Sequence, residues 1–276
     1  MKFQQPIISI QELETILDDP NLILLDCSID KVGKKLDDLN IELIPNSHFF
    51  DIEHRFSDSR SELPHTLVDE KTFTKEAQFL GINKDSVIVC YDRWGVYSSP
   101  RAWWMFKVMG FVEVYVLNGG ILAWKNANKN ISKTYQIAEN LGNFEAKLNE
   151  NWLANVNDVL DAIEQPSIKI IDARSSARFN AEVDEPRPGL RNGHIKNAGN
   201  IPFELVLEDE FYKSNDDLSI IFEKFNDKEE LIFSCGSGIT ASILALANHQ
   251  INQQQVIKVY DGSWAEWGKD PELPIE

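Results

Sequence analysis

Cysteine is scarce in this sequence, and what is present is scattered. Cys27, Cys90 and Cys235 are odd in number and far apart, which excludes a disulfide framework and a cysteine-ligated zinc site. No run approaches the roughly 18–20 apolar residues that a membrane helix needs. The opening segment MKFQQPIISI lacks the basic-then-apolar pattern of a secretory leader, so none is expected. Positive charge is also short: 27 Lys+Arg stand against 44 Asp+Glu, a net charge of −17. Nucleic acid and anionic membrane surfaces are polyanions and would be repelled, so neither is expected as a partner. No motif calls for a metal or an organic cofactor. A reducing cytoplasm is the expected compartment. Disorder is excluded from the other side, because 43% hydrophobic and 10% aromatic residues can build a sizeable core.

What is present is an approximate repeat. NLILLDCS (Asn21–Ser28) resembles IKIIDARS (Ile168–Ser175), and each is an apolar run that ends in an aspartate. IPNSHFF (Ile44–Phe50) resembles IKNAGNI (Ile195–Ile201). VIVCYD (Val87–Asp92) resembles LIFSC (Leu231–Cys235), which sets Asp92 opposite Cys235. VYVLNGGILAW (Val114–Trp124) resembles IKVYDGSWAEW (Ile257–Trp267). Short apolar runs of this length read as buried parallel strands. Helices are expected over Gln11–Asp18, Arg101–Met109, Leu153–Glu164 and Thr240–Gln250. Strands alternating with helices predict an α/β fold with two domains of one kind, each a mainly parallel sheet flanked by helices. The expected boundaries are 1–135 and 150–276, with the polar segment 125–150 as linker. Ligands of such sheets bind at the carboxyl ends of the strands.

The most informative stretch is LIFSCGSGITASILALA, residues 231–247. A strand ends at Cys235, GSGIT follows, and an apolar helix comes next. Gly236 and Gly238 allow conformations that turn successive N–H groups inward, with a helix N-terminus behind them. A cysteine at the base of such a nest is favoured as thiolate, the nucleophilic form. The nest would also hold the extra sulfur of a persulfide. Cys27 and Cys90 sit in apolar strand runs and read as packing residues. Cysteine phosphatases need an arginine at the far end of such a loop to clamp phosphate. Here that position is Ala241, and no Arg or Lys occurs within 235–249. Phosphate-monoester hydrolysis is thereby disfavoured, and transfer of sulfane sulfur remains.

The CGSGIT loop, the stretch RFNAEVDEPRPGLRNGHIKNAGNIPF (Arg178–Phe203) and YDGSWAEW (Tyr260–Trp267) resemble the two-domain rhodanese family of sulfurtransferases. So do SSPRAWWMFKVMGF (Ser98–Phe111) and LNGGILAW (Leu117–Trp124) in the first half. This form of the loop is associated with the family's 3-mercaptopyruvate sulfurtransferases. The resemblance implies transfer of sulfur from 3-mercaptopyruvate through a Cys235 persulfide, release of pyruvate, and a thiol such as thioredoxin, or cyanide, as acceptor. It implies that Arg178 and Arg187 hold the keto acid, with Gly236, Gly238, Ile239 and Thr240 lining the same pocket. It implies a relay of Ser237, His65 and an acidic residue, Asp51 with Glu53 as alternative. Salt bridges of the arginines to Glu182, Asp184 or Glu185 are the competing structural reading. His194 matches a structural turn, and Arg191 has no assigned role.

Charge supports the keto acid over thiosulfate. Thiosulfate is a dianion, costly to bury without a nearby cation, and the loop offers none. A thiosulfate:cyanide sulfurtransferase and a non-catalytic persulfide carrier or redox module are the two competing functions. The first half carries Asp92 in the nucleophile's place, and a carboxylate cannot form a persulfide, so that half is expected to be silent.

Overall fold

The computed structural model describes residues 2–276. It divides into two compact units. The first comprises residues 2–58, Leu67–Asn149 and Asp209–Tyr212. The second comprises Ser59–Thr66, Glu150–Glu208 and Lys213–Glu276. Each unit therefore takes one short segment from the sequence half that forms the other.

The first unit holds β1 (Ile7–Ile8), α1 (Ile10–Glu14), β2 (Leu22–Asp26), β3 (Ser47–Phe49), α2 (Glu70–Phe79), β4 (Val87–Tyr91), α3 (Ser99–Val108), β5 (Val114–Leu117) and α4 (Gly120–Asn126). Its five strands are parallel, in the order β1-β5-β4-β2-β3. The second unit holds β6 (Leu153–Ala154), α5 (Val156–Ile163), β7 (Ile168–Asp172), α6 (Ser176–Phe179), β8 (Gly199–Asn200) and the short β9 (Leu207–Glu208). The short β10 (Phe211–Tyr212) falls in the first unit. The second unit continues with α7 (Asn215–Phe222), β11 (Glu230–Ser234), α8 (Ile239–Ile251), β12 (Val256–Tyr260) and α9 (Ser263–Trp267). Its sheet is also five parallel strands, ordered β6-β12-β11-β7-β8. The two orders coincide strand for strand. Asp26 pairs with Phe49 as Asp172 pairs with Asn200, so the repeat in the sequence is a repeat in register.

Both faces of each sheet are covered, which is why the strands are continuous apolar runs. In the first unit one face packs Leu13, Leu24, Val89, Tyr115 and Trp124. An aromatic cluster also forms there, with Phe50 stacked on Phe56 at 3.8 Å and Phe73 edge-on to Phe106 at 5.3 Å. Trp103, Trp104, Met105 and Phe106 are fully buried on α3. In the second unit Val159, Ile170, Ile232, Trp264 and Trp267 form the corresponding core.

Two helices differ from expectation: α1 ends at Glu14, short of Asp18, and the first helix of the second unit starts later than Leu153. Leu153 begins a strand, β6, which pairs with β12. The helix starts after Asn155, whose side chain accepts from Asp158 N–H while Asp158 caps Asn155 in return. Ser9 and Glu12 form the same reciprocal cap at α1. The polar segment 127–149 runs along the first unit as a strap. Ser132 exchanges backbone bonds with Leu43 at 2.9 Å, Gly142 N–H reaches Gln78 O at 2.8 Å, and Asn149 N–H reaches Val108 O at 2.7 Å. A Cβ on Gly142 would lie 1.9 Å from Ile82 O, so only glycine permits this approach.

Candidate active site

Cys235 follows β11 directly and is buried. Gly238, at φ 80°, turns its N–H onto the Cys235 Sγ at 3.1 Å and opens α8. Glycine takes that φ without strain. The loop is held from behind by α9. Trp264 N–H donates to Cys235 O at 2.9 Å, and Ala265 N–H donates to Gly236 O at 3.0 Å. Cys235 N–H donates to the Ser263 hydroxyl at 3.2 Å, which itself donates to Tyr260 O at 2.8 Å. Ser263 holds a left-handed φ of 48°, an uncommon conformation for a residue with a Cβ.

Two guanidiniums lie over the loop. A Cβ on Gly236 would stand 3.3 Å from Arg178 Nη2 and 3.5 Å from Arg187 Nη1, so the bare glycine admits both. Arg187 Nη2 donates to Ser237 Oγ at 3.3 Å. The same oxygen lies 3.1 Å from His65 Nδ1. His65 arrives on the segment Ser59–Thr66, at a left-handed φ of 61°. Ile239 and Thr240 form the first turn of α8 beside the loop. Cys235, Ser237, His65, Arg178 and Arg187 thus gather within the second unit. Asp51 lies in the first unit, where its carboxylate accepts the His54 N–H at 3.0 Å.

Of the three acids offered by the sequence, Glu185 takes the ion pair. It grips Arg178 in a fork, from Nε at 3.1 Å and from Nη2 at 2.6 Å. It also accepts from Arg174 Nη1 at 2.7 Å. Arg174 is fully buried, forks onto Asp172 through Nε and Nη2, donates to Gly193 O, and lies 4.2 Å over the Trp264 ring. Neither Arg174 nor Ser263 was singled out in the sequence. Glu185 lies seven residues after Arg178 and two before Arg187, and Glu182 and Asp184 share the same stretch, so spacing does not separate the three. Arg191 donates to the carbonyls of Trp267 and Leu273 and so caps the end of the chain's last helix. His194 stacks on Phe179 at 3.7 Å and contacts Phe179 O through Nδ1 at 2.9 Å, as a structural turn residue does.

The corresponding loop of the first unit is filled by its own side chain. Asp92 Oδ2 accepts from the N–H groups of Tyr97 (2.8 Å), Ser98 (3.0 Å) and Ser99 (2.9 Å) and from the Ser99 hydroxyl (2.7 Å). Its other oxygen accepts from Trp94 N–H at 3.0 Å. Arg101 is buried beneath, 4.2 Å over the Trp104 ring.

A family model for the rhodanese-like domain matches twice, over residues 9–127 and 155–270. The chain belongs to the rhodanese family. It is 41% identical over 270 residues to the 3-mercaptopyruvate sulfurtransferase of Escherichia coli K12, covering 94% of each chain. It is 34% identical to the mitochondrial thiosulfate/3-mercaptopyruvate sulfurtransferase 1 of Arabidopsis thaliana, covering 99% of this chain and 78% of that one. The crystal structure of SseA from Escherichia coli, described as a 3-mercaptopyruvate sulfotransferase with the rhodanese fold, superposes with a TM-score of 0.83 at 35% identity. That match covers 95% of this chain and 99% of that one. Among rhodanese-family chains, then, this one has both domains and a sulfur-bearing loop in the second alone. Among the described residues, no helix is long and apolar enough to cross a membrane, and no cluster of His, Cys, Asp and Glu could hold a metal ion.

Proposed function

We propose that this chain is a 3-mercaptopyruvate sulfurtransferase. The observation that carries the reading is the loop itself: a sulfur under a backbone N–H, two guanidiniums above it, and no cation within it. The Cys235 thiolate attacks the thiol sulfur of 3-mercaptopyruvate. The C–S bond breaks, and its electron pair stays on carbon as the enolate of pyruvate. A proton returned to that carbon completes pyruvate. Ser237, in contact with His65, is the donor we assign. Cys235 is left as a persulfide. A thiol or cyanide then attacks the outer sulfur and restores the thiolate. Arg187 and the open edge of Arg178 receive the carboxylate and carbonyl of the keto acid, for which a planar guanidinium is suited. Gly236, Gly238, Ile239 and Thr240 shape the floor of that pocket. The first unit is silent in this reading, because Asp92 fills its loop. A reducing cytoplasm suits a protein whose three cysteines are free and whose chemistry needs one as thiolate.

The test is a substrate profile. Pyruvate and sulfide release from 3-mercaptopyruvate with a thiol acceptor should exceed, in kcat/KM, the turnover of thiosulfate with cyanide. The reverse order would make the chain a thiosulfate:cyanide sulfurtransferase. A stable persulfide on Cys235 with negligible turnover of either donor would make it a carrier. Arg187→Ala should raise KM for the keto acid about tenfold or more, the loss of one charge-assisted contact at about 1.5–3 kcal/mol. An unchanged KM would remove Arg187 from the substrate site.

A further inference from the structure

Four charged side chains behind the loop form a chain of alternating sign: Asp172, Arg174, Glu185 and Arg178. The first three are essentially closed to solvent, whereas the Arg178 side chain keeps 23% of its surface exposed. Taken in pairs they cancel. Asp172 neutralises Arg174, and Glu185 neutralises Arg178. Arg187 stands apart: among the described residues no carboxylate lies within ion-pair distance of it, and its side chain donates to the neutral hydroxyl of Ser237. The pocket over Cys235 therefore carries the uncompensated charge of one arginine, although two guanidiniums line it.

The grip on Arg178 is also directional. Glu185 occupies Nε and one N–H of Nη2, which turns the remaining edge of the guanidinium toward Gly236. Glu185 cannot swing away, because its Oε1 is tied at the same time to the buried Arg174. One acidic side chain, Glu185, thus sets both the charge and the aim of Arg178.

We infer that Glu185 is a specificity-determining positioning residue: by cancelling Arg178 and fixing its open edge, it tunes the pocket to a monoanion and against a dianion. This rests on the sulfurtransferase reading above and adds to it the reason for the donor preference. 3-Mercaptopyruvate brings one negative charge beside the Cys235 thiolate, and thiosulfate brings two. Uncovering one more positive charge near the loop helps the second charge of thiosulfate as well as the first. A unit charge at such range changes affinity by about tenfold per ligand charge after partial screening.

The variants that test this are Glu185→Gln, which keeps the shape and removes the charge, and Glu185→Asp, which keeps the charge and shortens the reach. The ratio of kcat/KM for thiosulfate to that for 3-mercaptopyruvate should rise about tenfold in E185Q. In E185D it should stay within about twofold of wild type, while KM for both donors rises. Equal losses on both donors in E185Q, or an equal rise of the ratio in E185D, would overturn the inference. The same comparison is made without turnover, by calorimetry of thiosulfate and pyruvate on Cys235→Ser with and without E185Q. There thiosulfate should gain about tenfold more than pyruvate, and equal gains would overturn the inference. This arm reads charge alone, so it stands even if the wild-type chain turns over neither donor, a result that would sink the proposed function instead. If E185Q does not fold, Arg178→Gln serves: it removes a cation and must shift the ratio the other way. An unshifted ratio there would overturn the inference.

Discussion

Cys235→Ser abolishes pyruvate release from 3-mercaptopyruvate, with an expected loss of about 10⁴-fold or more, the scale seen when a covalent nucleophile is removed. The replacement is nearly isosteric, and the Gly238 N–H that meets Sγ at 3.1 Å can meet the new oxygen. The loop should therefore keep its shape, and the loss reports chemistry alone. A hydroxyl is a far weaker nucleophile than a thiolate and cannot store sulfur as a persulfide. Intact-mass measurement after exposure to the donor should show one added sulfur on the wild-type protein and none on the variant. Cys27→Ser is the control. Cys27 is buried, and burial pushes its thiol well above the ordinary cysteine range, with the neighbouring Cys90 adding to the shift. It should turn over as wild type does. Residual activity of Cys235→Ser above a hundredth of wild type would move the nucleophile elsewhere.

Asp92→Ala produces the largest loss of stability, about 3–5 kcal/mol, seen as a lower urea midpoint for the first unit. The side chain is buried and accepts five hydrogen bonds, four of them from backbone N–H groups. Removing the acceptor strands several donors away from water, each at a cost of about 1–3 kcal/mol before relaxation. Asp92→Asn keeps one acceptor oxygen and should fall between. A midpoint within the error of wild type would mean that water or another acceptor replaces the carboxylate without loss. In the wild-type chain that carboxylate fills the first unit's anion nest with a ligand that never dissociates.

The fold was open to reading because its strands are local. Val87–Tyr91 and residues 231–233 are apolar on both faces, and the repeat fixes their order. The short edge strand β6 was hidden, because a two-residue strand is defined by its partner β12 and not by any pattern of its own. The strap was hidden for a similar reason: its polar residues read as a solvated connection, yet its backbone bonds are made to Leu43, Gln78 and Val108. In the site, the cysteine and the glycines announce themselves by position between strand and helix. Which acid serves which arginine does not, since Glu182, Asp184 and Glu185 are alike in sequence and differ only in where the chain turns. Ser263 was invisible, because its role depends on a left-handed φ that a serine in DGSWAEW does not signal.

The exchange of short segments has a consequence for how the protein is made. Synthesis delivers Asn118 and Gly119 long before Tyr212, whose N–H the Asn118 side chain accepts at 2.8 Å, and before Phe211, whose ring packs directly on Gly119. It delivers His65 long before Ser237. On the ribosome the first unit cannot reach its final state when its own half of the message has been read. It must wait for residues 209–212, and the second unit must then collect a piece translated far earlier. The two units are therefore separate as cores but joined as folding events, each completed by chain that belongs, in order of translation, to the other.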